Sequence, residues 1–172
     1  MTSSEASGTY AVEDAFELEM PTRVLGLDEA SEWLVMIAEN EGVDHPVVSQ
    51  MSMSRSLLGL AFVDEWCISV RKKKMSQLLL VHEMAHLVCA NGGHGREFRT
   101  QVVTFVRRYV SLAHAVRLHE MYVAAGLSVE PFAATNCYGF IQTTMSSARN
   151  RLITTSLGRR YFLRNSSRYS RF

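Results

Sequence analysis

Several kinds of residue and segment are scarce or missing in this 172-residue chain, and each absence excludes a class of protein. The three cysteines, Cys67, Cys89 and Cys137, are too few and too scattered for a disulfide framework, so we expect reduced thiols. No run approaches 18 uninterrupted apolar residues, so no transmembrane helix is predicted. The N-terminus lacks the basic start and apolar core of a signal peptide. Together these absences predict a cytoplasmic protein that does not enter a membrane.

Length and composition predict one globular domain with polar ends. Hydrophobic residues make up 47% of the chain, which is enough to form a buried core. Residues 1–15 are small, polar and acidic, and we expect them to be disordered. We expect residues 16–130 to form the domain and residues 131–172 to form a flexible tail.

Acidic residues are absent from this predicted tail. Residues 131–172 carry seven arginines and no acid, whereas residues 1–130 carry 11 Lys and Arg against 17 Asp and Glu. Within 149–171 the arginines are interleaved with aromatic residues, a pattern that fits single-stranded nucleic acid through phosphate contacts and base stacking. The alternative is a solubilising extension that binds nothing specific.

What the sequence does contain is the pattern His82-Glu83-x-x-His86, followed by His94. On a helix, residues four apart lie on one face, so His82 and His86 point the same way and a single zinc ion can bridge them. The Gly-Gly turn before His94 can bring that residue back as a third ligand. Glu83 lies about 100° around the helix from His82, where it can reach a water on the metal as general base. The pattern therefore predicts a catalytic zinc site with an open fourth position.

Two alternatives remain open for these residues. The histidines could form hydrogen bonds in a buried core, with His94 in an ordinary loop, although polar groups on a buried face are costly without partners. Cys89 follows His82 by seven residues and could ligate zinc, but it lies about 10 Å further along the helix axis. We prefer to interpret Cys89 as a small buried thiol near the site.

The segment His82-Glu83-Met84-Ala85-His86, followed by His94-Gly95-Arg96-Glu97-Phe98, resembles the small zincins of the SprT-like, WLM and YgjP-like groups. It looks closest to a metallohydrolase family of actinobacteria and their phages. The resemblance is sharp over residues 78–98 and weaker over about 28–131. It implies a minimal zincin fold with zinc on His82, His86 and His94 and with Glu83 as general base. The seven-residue gap before His94 and the lack of a Met-turn argue against a metzincin.

Patterns elsewhere predict an α+β fold, a small and mostly antiparallel sheet packed on the H-E-x-x-H helix with two or three further helices. A first strand is expected within residues 16–25 and a helix from Asp28 to about Asn40. Apolar runs at 47–53, 57–63 and 66–70 suit an antiparallel meander. A helix that follows Gly95, with Arg99 on its exposed face, and another over about 112–125 complete the prediction.

Some further residues have two interpretations each. By resemblance, the strand Trp66–Val70 pairs with an extended peptide substrate, but it could equally be structural. Arg71–Lys74 is a solvated turn or a phosphate contact. Glu97 stabilises the start of a helix or orients a ligating histidine. Tyr109 or His114 could stabilise the oxyanion of a hydrolytic reaction.

The predicted function is zinc-dependent hydrolysis, most simply of a peptide bond in a polypeptide substrate. A second hypothesis keeps the site but restricts it to a DNA-associated protein or a repressor. A third is a non-catalytic, nucleic-acid-binding protein whose zinc only stabilises the fold. The open fourth position argues against that third hypothesis, because structural zinc sites are usually closed.

Overall fold

Helices and short strands are mixed along the chain in the computed structural model, which describes residues 3–89 and 93–132. The α+β class predicted from the sequence is confirmed. Within the described residues the helices are α1 (Ser3–Glu19), α2 (Leu27–Glu41), α3 (Gln77–Val88), α4 (Arg96–Phe105) and α5 (Leu112–Ala124), with a π-helical turn at Val106–Val110. The strands are β1 (Val24–Gly26), β2 (Val47–Gln50), β3 (Gly59–Phe62), β4 (Cys67–Val70) and β5 (Lys74–Ser76).

The main difference from the sequence prediction is helix α1. Residues 1–15 were expected to be disordered, but from Ser3 the chain is helical. The buried residues Thr9, Val12, Glu13 and Phe16 follow the spacing i, i+3, i+4, i+7, so they form one face of the helix. That face packs on α5. The prediction of disorder was wrong because half of the buried face is polar, and hydropathy alone does not reveal it.

The strand expected within residues 16–25 begins instead as helix, because α1 extends to Glu19. Phe16 is fully buried in the last turns of α1, and its carbonyl accepts a hydrogen bond from the Met20 amide at 2.7 Å. Only Val24–Gly26 is extended, and it pairs antiparallel with β5. This two-stranded ribbon leads directly into α3, whose N-cap Ser76 accepts a hydrogen bond from the Leu79 amide at 3.2 Å.

The larger sheet has three strands in the order β2-β4-β3. β3 pairs antiparallel with β4, but β2 pairs parallel with it, so the predicted antiparallel meander is wrong. The central place belongs to β4, where Ile68, Ser69 and Val70 are all buried, whereas no residue of β2 is buried. The strand with most buried residues is the one covered by a neighbour on each edge.

The remaining helices begin and end close to where the sequence predicts. α2 ends at Gly42, whose φ of 67° is in the left-handed region that favours glycine. α4 and the π-helical turn are separated from α5 by Ser111, which caps α5 by accepting a hydrogen bond from the His114 amide at 3.1 Å. Besides α3, the described residues thus contain four helices rather than two or three, and α1 is the additional one.

Most of α3 is buried between the sheets and the other helices. Its buried apolar residues are Leu78, Leu80, Val81, Met84, Ala85 and Leu87. They surround His82 and Glu83, which are 2% and 5% exposed, so the fold encloses the polar pair in an apolar setting.

The predicted basic tail from residue 131, with its Arg-rich part at 149–171, lies outside the described residues from residue 133 onward. The compact unit that contains the described residues extends to Phe132. In the part of the chain that the structure describes, no helix combines the length and the hydropathy that crossing a membrane requires.

Candidate metal centre

The structure brings together the three histidines that the sequence predicts as ligands. His82 and His86 lie one turn apart on α3, and His94 lies just before α4. The Nε2 atom of His94 is 3.2 Å from the Nε2 atom of His82 and 3.2 Å from that of His86. One ring nitrogen from each residue falls within 4.8 Å of the other two, so this histidine cluster could hold a metal ion.

The spacing suits a tetrahedral ion. Metal–nitrogen bonds of about 2.0–2.1 Å at tetrahedral angles place the ligand nitrogens roughly 3.3 Å apart. The two observed separations of 3.2 Å are close to that value. Three nitrogens occupy three positions of a tetrahedron, so the arrangement leaves a fourth for another ligand.

Two aromatic rings hold the histidine cluster in place. Phe98, which is 1% exposed, contacts all three imidazoles with ring centroids 4.3–4.8 Å away. Tyr10 of α1 stacks on His82 at 5.3 Å and tilts over His94 at 4.7 Å. Phe98 comes from the segment that carries the zincin resemblance, whereas Tyr10 comes from the segment predicted to be disordered.

Glu13 of α1 orients the first histidine. Its Oε2 atom lies 2.7 Å from the Nδ1 atom of His82, and its Oε1 atom accepts a 2.5 Å hydrogen bond from the hydroxyl of Tyr122. Glu13 is 7% exposed and Tyr122 is fully buried. A proton on Nδ1 donated to this carboxylate leaves the Nε2 lone pair of His82 free for a metal.

The electrostatics of the cluster favour neutral rings at His86 and His94, but not at His82. Burial and the charge of His82 lower the pKa of His86 to about 3. The same two effects lower the pKa of His94 to about 4. For His82 burial opposes protonation, but the adjacent carboxylate of Glu13 outweighs it and raises the pKa. Neutral imidazoles are the form that binds metal ions.

Arg99 fixes the backbone at His94. Its guanidinium is fully buried, and Nη1 donates a 2.5 Å hydrogen bond to the carbonyl of His94. It also donates to the backbone oxygen of Ser128 at 2.8 Å and to the hydroxyl of Thr9 at 3.3 Å. The prediction that Arg99 is exposed was therefore wrong, because this side chain ties α1 and residue 128 to the third histidine.

Glu83 is held beside the cluster by the edge of the sheet. Burial raises its pKa to about 7, while His82 acts in the opposite direction and a hydrogen bond from the Ala61 backbone also lowers the pKa. A methyl group added at Gly59 would lie only 2.6 Å from the Oε1 atom of Glu83. A side chain at this position would force the Glu83 carboxylate to shift, so glycine leaves room for it where β3 passes.

A cavity of about 440 Å³ opens on the same side, and His82, Glu83 and Tyr10 line it. A close-packed protein core would leave no such space next to a buried carboxylate. Glu83 therefore faces a volume that water and a substrate can enter.

Comparison of this chain with protein-family models, with curated proteins and with solved structures gives no match. The resemblance to small zincins therefore remains a prediction carried by the motif residues.

Other candidates from the sequence lie away from the cluster. The hydroxyl of Tyr109 donates to Glu41 at 2.6 Å, and the Nδ1 atom of His114 lies 2.6 Å from the Ser111 hydroxyl. Neither lines the cavity beside Glu83. Burial raises the pKa of the Cys89 thiol to about 11, and its sulfur is not among the clustered ligand atoms.

The predicted substrate-pairing strand is also excluded by position. β4 lies between β2 and β3, so the backbone groups on both of its edges are already paired. Glu97 lies in the first turn of α4 and is exposed, as one of its two interpretations requires. Lys72 and Lys73 are exposed in the turn before β5.

Sequence reasoning missed three site residues, namely Tyr10, Glu13 and Arg99. The spacing Thr9, Val12, Glu13, Phe16 was the signal that could have revealed α1, because helical periodicity persists when polar residues are counted with apolar ones. For Arg99 the signal was its place on the side of α4 that also carries Phe98 and Val102.

Proposed function

We propose that this protein is a zinc-dependent hydrolase that cleaves peptide bonds. The histidine cluster would hold the ion, Glu83 would act as general base, and a polypeptide segment would enter through the cavity. The supporting observation is the convergence of three Nε2 atoms beside a buried carboxylate that faces an open cavity.

Zinc is the metal that best fits this ligand set. Three imidazoles with an open fourth position are typical of catalytic zinc sites, and structural zinc sites use four protein ligands, often cysteines. Zinc bound there supplies a Lewis acid that polarises a carbonyl group and makes water acidic near neutral pH.

The residues of the chain would then have separate roles in the reaction. Glu83, with a pKa of about 7, can take a proton from water and return it to the leaving amine of the peptide. The Ala61 amide and the close approach of Gly59 fix the Glu83 carboxylate during both transfers. Glu13 keeps His82 in the tautomer that presents Nε2 to the ion.

Substitution of the general base tests the proposal. Glu83→Gln keeps the size of the side chain but cannot accept the proton, so we expect hydrolysis of a fluorogenic casein substrate to fall by about 100- to 10,000-fold. The zinc content, measured by atomic emission on the purified protein, should remain at one ion per chain. Activity equal to that of the wild type would remove Glu83 from the mechanism.

Chelation separates the enzyme from a zinc-stabilised scaffold. A chelator should abolish hydrolysis, and added zinc should restore it. If the chelator lowers the melting temperature while the zinc-loaded wild type cleaves no peptide, the ion stabilises the fold only and the proposal fails.

A further inference from the structure

The cavity beside Glu83 is bounded by α1, by residues 56–59 and by the first turn of α3. Its volume of about 440 Å³ lies within the range of ligand sites, about 300–1,000 Å³. From α1 it is lined by Tyr10, Asp14 and Glu17, which at spacings of four and seven residues lie on one face of the helix. The cavity thus runs along α1, away from the histidine cluster.

Most of the opposite walls are apolar. Leu57 and Leu58, from the loop before β3, line the cavity together with Leu78 and Leu79 in the first turn of α3. Leu57 is 39% exposed and Leu58 is 44% exposed, although large apolar side chains are usually covered. Apolar surface left open beside a reactive carboxylate fits an aliphatic or aromatic part of a ligand.

Apart from His82 of the metal centre, the charged groups of the cavity are all carboxylates. Its lining contains four carboxylates and neither Lys nor Arg. Glu13 is engaged by His82, and Glu17 accepts hydrogen bonds from the amide and hydroxyl of Thr22. Within residues 3–89 and 93–132, Asp14 has neither a hydrogen bond nor an ion pair, and it is exposed.

The start of α3 does not offset this negative charge with free donors. The amide of Gln77 donates to the carbonyl of Arg23 at 2.9 Å, and that of Leu78 donates to the Thr22 hydroxyl at 3.1 Å. The Leu79 amide donates to Ser76. An anionic ligand would therefore meet carboxylates without gaining the usual contacts of a helix N-terminus.

We infer that this cavity binds a lysine or arginine side chain of the polypeptide substrate, with Asp14 as the residue that selects it. The inference rests on the proposed peptidase function and adds its substrate class. Both side chains have an aliphatic stem for the leucine walls and a cationic end for Asp14 and Glu17. Asp14 lies four residues from Tyr10, roughly 6 Å along the axis of α1, which a side chain extending from beside the metal centre can span.

Binding to an inactive, zinc-loaded protein tests the inference. In the Glu83→Gln background, fluorescence anisotropy would measure the affinity of labelled peptides with one Lys, norleucine or Glu scanned through a Gly-Ser-Ala sequence. We expect the best Lys peptide to bind about fivefold tighter than its norleucine match, and the Glu peptide to bind most weakly.

Substitution of Asp14 tests the specificity of the cavity. Asp14→Asn should remove most of this Lys preference and leave the affinity for the norleucine peptide within about twofold. Asp14→Lys should reverse the order of the Lys and Glu peptides. The matched control is Asp28→Asn, which removes an exposed carboxylate from α2, outside the cavity, and should preserve the Lys preference.

The outcomes separate the inference from the proposed function. Equal affinities for the three peptides, no binding at all, or a Lys preference unchanged by Asp14→Asn would overturn the inference. Hydrolysis by the wild type without preference for Lys or Arg would overturn the inference alone. Lys-selective binding without hydrolysis of those peptides by the wild type would support the cavity assignment and overturn the peptidase function.

Discussion

The segment from His82 to Phe98 and the helix α1 contribute to the metal centre in different ways. The first segment supplies the three histidines, the carboxylate that we propose as general base, and an aromatic ring in contact with the histidines. α1 supplies no ligand, but its Glu13 orients His82 from a position 69 residues away in the sequence. The ligand set is thus local in sequence, whereas the groups that position it are not.

This difference has a consequence for how the centre forms. His82 and His86 come together as soon as α3 is helical, because a helix places residues four apart on one face. The tautomer of His82 and the cover over His94 depend instead on the docking of α1 against α5. We therefore expect metal affinity to depend on both segments, with the larger share on the ligands.

The largest effect is expected from loss of a ligand. His94→Ala leaves two imidazoles on α3, and zinc affinity should fall on the order of 1,000-fold. Competition with a chromophoric chelator would measure it. His45→Ala, which removes an exposed histidine outside the cluster, is the matched control and should bind zinc as the wild type does. Unchanged affinity in the His94 variant would mean that the ion is held elsewhere.

A smaller effect is expected from α1. Glu13→Gln removes the charge behind His82 while keeping the size of the side chain, so zinc affinity should fall about tenfold. Glu19→Gln is the control on the same helix, because Glu19 pairs with Arg117 at the surface and does not line the cavity. The same competition assay measures both. If the two variants have the same zinc affinity, α1 covers the site without changing how tightly it binds zinc.

The smallest effect on the metal is expected from Tyr122, which acts on the centre through its hydrogen bond to Glu13. Tyr122→Phe deletes the 2.5 Å hydrogen bond to Glu13 and should lower the free energy of unfolding by about 1–3 kcal/mol. Zinc affinity should fall less than in the Glu13 variant. Tyr109→Phe, which loses a hydrogen bond to Glu41, should leave zinc affinity unchanged. Chemical denaturation and the competition assay together check these expectations.

Most of what could be predicted about the site came from local sequence patterns. The spacing of His82 and His86 and the N-cap Ser76 each depend on a few neighbouring residues, whereas the Gly-Gly turn predicted before His94 lies partly outside the described residues. Glu13 could not be assigned in this way, because a glutamate in a polar stretch has no local feature that indicates burial. Only the docking of α1 brings it to 2.7 Å from a histidine of α3.

The fold shows the same division between local and distant information. The helix predicted from Asp28 to about Asn40 is present as α2, with its glycine stop. The order of the sheet is different from the prediction, because the runs at 47–53, 57–63 and 66–70 do not reveal which strand is central. Which strand is central depends on what covers each strand. Among the described residues β3, rather than the predicted β4, therefore has an unpaired edge, and Gly59 of β3 lies next to Glu83.

X-ray absorption at the zinc edge of the zinc-loaded, full-length protein would test the central claim most directly. We predict three imidazole nitrogens at about 2.0–2.1 Å and one oxygen ligand that is not a side chain of the protein. The His94→Ala variant should lose one of the imidazoles. A sulfur ligand at about 2.3 Å, or a shell closed by four protein side chains, would contradict the account.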